Sequence, residues 1–112
     1  MPDLNSLMQV PGAIGAFRFS ESGELLEHRV ADGSDLNETA LDLLCHMCVA
    51  NEAIATMQAR GWEAMTGMQG FYPIQGFSFV GFEWTAVVNG HHGVIMPNDQ
   101  TDFEAAYAAL SS

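Results

Sequence analysis

Tight-turn signals fall in two groups along this chain, one on each side of a single long helical segment, and that arrangement constrains the fold most strongly. Glu21-Ser22-Gly23-Glu24 separates two extended runs, Ala13 to Ser20 and Leu25 to Val30. It places glycine where a positive φ is wanted, so the pair is predicted as a β-hairpin. Downstream, Gly81-Phe82-Glu83 and Asn89-Gly90 punctuate three further runs, at about Ile74 to Gly81, Trp84 to Asn89 and His91 to Met96. Asn-Gly is a strong hairpin signal because both residues tolerate the positive φ of a type I′ turn. Strands joined by turns this short run antiparallel, since parallel neighbours need a long crossover.

Between the two groups, Ala31-Asp32-Gly33-Ser34 breaks the extended pattern, and Asp35-x-x-Glu38 has the form of a capping box. Asp32, Asp35, Glu38 and Asp42 then lie near the positive end of a helix dipole. Ala40, Leu43, Met47, Ala50, Ile54 and Met57 step by three and four, one continuous helical face that is expected to end at Arg60-Gly61. A second row, Leu41, Leu44 and Cys48, widens the apolar stripe. Covering a sheet does not require both rows, so the second hints at a further packing partner. A short opening helix, Leu4 to about Gln9, is capped by Asp3 and stopped by Pro11-Gly12. Thr101-x-x-Glu104 resembles another capping box and introduces a closing helix with Phe103, Ala106, Tyr107 and Leu110 on one side. The order is helix, strand, strand, helix, three strands, helix: an α+β domain.

At 112 residues one domain is expected, residues 1–112 throughout. Apolar residues make up 48% of it and charged residues 15%, enough to build a core. Fourteen acids face three arginines and no lysine, giving a net charge of −11. No basic patch exists to neutralise phosphates, which argues against nucleic acid or an anionic membrane surface as partner. Without lysine there is no Walker-type nucleotide site. The opening residues lack the basic start and apolar run of a secretory signal, and no continuous apolar stretch has the length of a membrane span. Cys45 and Cys48, three apart in a helical segment, are poor material for a disulfide framework, so a reducing, cytoplasmic setting is expected.

If the first and last strands pair at the centre, the sheet order becomes 2-1-5-4-3, and strands two and three are the edges. Strand two carries Glu27, His28 and Arg29, the usual protection against edge-to-edge pairing. Strand three has no charge and presents Ile74, Phe77, Phe79 and Val80. An unprotected apolar edge needs a cover. The same strand of a second copy supplies one across a two-fold axis, with the Leu41, Leu44 and Cys48 row beside it; the alternative cover is the glycine-rich 65–73 loop.

Pro11-Gly12-Ala13-Ile14 leading into the first hairpin, Ala50-Asn51 in the long helix, the strand from Gly76 to Gly81, and Gly90-His91-His92-Gly93-Val94 leading into the last strand occur in an order that resembles the roadblock family. That family comprises dynein light-chain and bacterial relatives, and the likeness is greatest to a prokaryotic group of small uncharacterised proteins. The resemblance implies a five-stranded antiparallel sheet of order 2-1-5-4-3, with the long helix on one face and the two terminal helices on the other. It further implies a homodimer through strand three, and a scaffold or regulator that is not an enzyme and uses no cofactor. Small Ras-like GTPases are partners of many such proteins; here the partner is unidentified.

Cys45-His46-Met47-Cys48 is the one motif with chemical content. Thiol redox catalysis wants its first cysteine at a helix N-terminus, whereas Cys45 falls well inside the helix with Asp42 at i−3. Zinc would need two more ligands, for which His91 and His92 are the candidates, although adjacent strand residues point to opposite faces. Three readings therefore stand: buried structural thiols, a metal site and a thiol redox site. No serine elbow accompanies the histidines. Paired carboxylates sit in turns and at helix starts, where solvation and capping account for them. Met57, Met65 and Met68 around Gly61-Trp62 serve either as core filler or as an adaptable contact surface.

Overall fold

The computed structural model describes residues 2–112. Helix α1 (Leu4–Leu7) precedes strands β1 (Gly15–Phe19) and β2 (Leu25–Val30). Helix α2 (Glu38–Thr66) follows, then β3 (Gly76–Val80), β4 (Trp84–Asn89), β5 (His92–Pro97), a 3₁₀ turn (Asn98–Gln100) and α3 (Phe103–Leu110). The strands form one antiparallel sheet in the order β2-β1-β5-β4-β3. β1 and β5 meet at its centre, so the 2-1-5-4-3 expectation holds.

Residue alternation along the central strands divides the core in two. Ala16, Val87, Val94 and Met96 pack with Leu4, Leu7 and Val10 and with Ala106 and Leu110, beneath α1 and α3. Phe17, Phe19, Ala86, Val88 and Ile95 face the other way, against Leu41, Cys45 and Cys48 of α2. The long helix and the terminal helices thus take opposite faces, as the resemblance implied. Phe17 and Gly93 are register partners on the α2 face, and the Phe17 ring lies on the glycine backbone: a Cβ there would sit 2.2 Å from the ring.

Several boundaries differ from expectation. The N-cap of α2 is Asn37, whose side chain accepts from the Ala40 N–H at 2.9 Å, in place of the Asp35 box. α2 runs past Gly61 to a left-handed cap at Gly67, φ +72. At α3 the cap is Asp102, with Thr101 bonded instead to the Pro97 carbonyl. In the last hairpin Asn89 remains in β4 and pairs with His92, leaving Gly90-His91 as the turn. Only the glycine has positive φ there, the sign pattern of a type II′ turn, not I′. α1 stops at Leu7, and β3 begins at Gly76, so Ile74 lies in the preceding loop.

α2 has the length of a membrane span, yet it carries Asp42, Glu52, Arg60 and Glu63 and seats one side on the sheet. Asp42 also ties it to β2, accepting from the Leu25 N–H at 3.1 Å. It is an integral element of this domain.

Candidate interaction surface

β3 is an edge strand with an apolar sequence, and its hydrogen-bonding phase can be read from its ends. The Gly81 N–H donates to the Trp84 carbonyl, and the Gly90 N–H donates to the Gln75 carbonyl. In an antiparallel pair such bonded positions recur every second residue. Phe77 and Phe79 therefore direct their backbone groups to β4, while Gly76, Ser78 and Val80 direct theirs outward. On the side-chain faces, Phe77 and Phe79 pack edge to face at 5.3 Å beside α2, and Ser78 Oγ lies 3.2 Å from the Tyr107 hydroxyl of α3. Val80 is 68% exposed.

The 65–73 loop takes a different course from the one that would cover this edge. Glu63 Oε2 accepts from the N–H groups of Gly70, Phe71 and Tyr72 at 2.9, 3.3 and 3.3 Å. Arg60 donates to the Tyr72 hydroxyl at 2.6 Å and stacks over its ring. Phe71 meets Trp62 edge to face at 5.5 Å. These contacts clasp the loop to the last turns of α2.

Of the residues expected at a self-association surface, Phe77, Phe79 and Val80 are on the edge strand, and Ile74 is half-buried just before it. Leu44 is half-buried on the flank of α2 that faces β3. Leu41 and Cys48 differ: both are fully buried in the protomer's own core, so they belong to the sheet-facing side of α2. The row expected to cover the sheet is the one left outside, with Leu43 62% and Ile54 56% exposed and Met47 between them. Both rows are apolar with the same period, so spacing alone did not distinguish them. Between this crest and β3 runs an apolar groove lined by Leu43, Leu44, Met47, Phe79 and Trp84. A separate apolar pocket farther along α2 is lined by Ala55, Ala59, Trp62 and Ile74. Edge, groove and crest form one contiguous apolar surface, larger than isolated exposed side chains produce.

The cysteine motif is placed inside the core. Cys45 and Cys48 are both free and fully buried, and each thiol is pushed up to about 12. Burial is the main cause in both; Asp42 adds to it for Cys45, and Cys45 and Glu52 add to it for Cys48. Protonated thiols are poor nucleophiles and poor metal ligands. His91 rests on the Phe19 ring at 5.2 Å, on the α2 face. His92, buried, shares the opposite face with Val94 and Met96 by strand alternation, and burial lowers its pKa. The sheet thus separates the two histidines. Among the described residues no three His, Cys, Asp or Glu side chains converge on a metal position.

The fold is that of the roadblock and MglB proteins. A structure described as "MglB with tetrameric arrangement" superposes with TM-score 0.72 at 17% identity, covering 95% of this chain and 75% of the other. The gliding protein MglB from Thermus thermophilus gives 0.68 at 16% identity, over 96% and 85%. A Roadblock/LC7 domain from Streptomyces avermitilis gives 0.64 at 11%, over 96% and 83%. No curated protein sequence matches. The model of the family described as "Uncharacterized conserved protein (DUF2173)" matches residues 3–112, and the chain belongs to that family.

Proposed function

We propose that this chain is a non-enzymatic, homodimeric protein-binding module that acts as a scaffold or regulator. The observation that carries the reading is the open β3 edge, continuous with the apolar groove and the crest of α2. A second copy answers all three at once: antiparallel pairing of β3 with β3 satisfies the outward groups of Gly76, Ser78 and Val80, and brings a second α2 to the groove. A relative of the same fold, MglB, is described in a tetrameric arrangement, which supports self-association as a property of this architecture. The further partner, on the roadblock resemblance, is a small Ras-like GTPase. A cytoplasmic location accords with the two free thiols.

Light scattering coupled to size exclusion, over a range of concentrations and with and without a chelator, tests this. A chelator-insensitive dimer that becomes a folded monomer in Phe79→Lys is expected. A monomer at every concentration would refute the self-pairing, and a mass that fell with chelator would show a metal-dependent association in place of β3 pairing.

A further inference from the structure

α2 has two flanks, and only one faces β3. On the other, Val49, Glu52, Ala53 and Thr56 step by three and four toward the β1–β2 and β4–β5 turns and, with Met57, form one wall of a second groove. Glu21 of the β1–β2 turn and His91 of the β4–β5 turn form the opposite wall. The walls are held close. Gly23, at φ +90, lets the β1–β2 turn lie against the helix, where a Cβ would be 3.2 Å from the His46 backbone. His91 is fixed against Phe19.

The groove joins an apolar floor, Val49, Ala53 and Met57, to two carboxylates, Glu21 and Glu52, that enter no ion pair among the described residues. The chain has little with which to neutralise them. It contains no lysine; Arg18 is paired with Glu27, Arg60 with Tyr72, and Arg29 with the His28 carbonyl. We infer that this groove docks a basic amphipathic segment of a protein partner, with Lys or Arg side chains between Glu21 and Glu52 and aliphatic carbons over Val49 and Met57. Charge complementarity selects the cation, and the apolar floor selects a peptide over a small polyamine. The inference rests on the protein-binding reading above and assigns its partner-facing surface, on the flank of α2 away from the self-pairing strand.

The test uses the full chain and a fluorescent synthetic helix of lysine and leucine, with a glutamate–leucine helix and spermidine as controls. Saturable, salt-sensitive anisotropy with the lysine helix alone is expected, with amide shifts centred on residues 49–57 and Glu21. Glu21→Gln with Glu52→Gln should weaken binding about tenfold. Ala53→Arg, which puts the chain's own cation in the groove, should abolish it. Absent binding, shifts centred on β3 or dispersed over the acidic surface, equal binding of spermidine, or indifference to both variants would overturn the inference. Light scattering on the same samples keeps the two readings apart. A monomer that binds the peptide in the groove refutes only self-pairing, and a dimer that does not bind it refutes only the groove.

Discussion

Ser78→Pro in β3 should separate self-association from folding. Because the backbone groups of Ser78 point away from β4, proline there removes no bond from the protomer's own sheet, and edge strands tolerate it. The protomer loses only the contact of Ser78 with the Tyr107 hydroxyl, about 1 kcal/mol, which lowers a domain of this size by roughly 4 °C. A two-fold pairing loses far more. Each copy gives up one N–H donor and leaves one carbonyl of its partner orphaned; at about 1 kcal/mol for each, the dimer loses about 4 kcal/mol, a thousandfold in dissociation constant. Phe79→Pro is the control with opposite phase. Its N–H faces β4 and its ring is half-buried, so it should cost the protomer itself about 3 kcal/mol or more. Light scattering and thermal melting of both variants read the two effects. If Ser78→Pro remained a dimer of unchanged affinity, the edge is not the interface; if it unfolded the protomer more than Phe79→Pro, the assigned phase is wrong.

Other outcomes follow from the core. Gly93→Ala should cost about 3 kcal/mol in urea unfolding, since its Cβ would meet the fully buried Phe17 ring, and combining it with Phe17→Leu should cost less than the sum of the two. Stability should fall as pH rises from about 9 toward 12. The unfolded thiols lose their protons near 9 while Cys45 and Cys48 hold theirs to about 12, and replacing both with alanine should flatten that limb. For His92 the sign is reversed. Burial depresses its folded pKa, so its contribution is present above about 6.5 and is lost as pH falls below it; His92→Leu should reduce the acid-side slope measured by urea unfolding at several pH values.

The strand order was legible because it followed from local signals that agree with one another: short turns on either side of α2, and charges on β2 but not on β3. The far end of α2 was not. Arg60-Gly61 reads as a stop, but the cost of an internal glycine, about 1 kcal/mol, is offset by contacts that no local window contains. Ala59 is buried, Trp62 meets Phe71, and Glu63 gathers three N–H groups from the loop. Which apolar row of α2 turns inward was equally hidden. Leu41, Cys45 and Cys48 are selected by the position of Phe17, Phe19 and Ile95 beneath them, a tertiary fact. For the candidate surface, Phe77, Phe79 and Val80 were visible as an uncharged run, whereas the second groove joins side chains from α2 and two turns that only the folded sheet brings together.

The unlike edges of the sheet set a valence. A chain with two apolar edges could add copies at both ends and grow into a fibre; a chain with two charged edges would not join at all. Here β3 is open, while β2 carries Glu27, His28 and Arg29 on the far side of the sheet. Joined through β3, two such sheets leave a β2 strand at each end, and further addition terminates. If copies join through β3, replacing those charges with valine or threonine should let further copies add at β2.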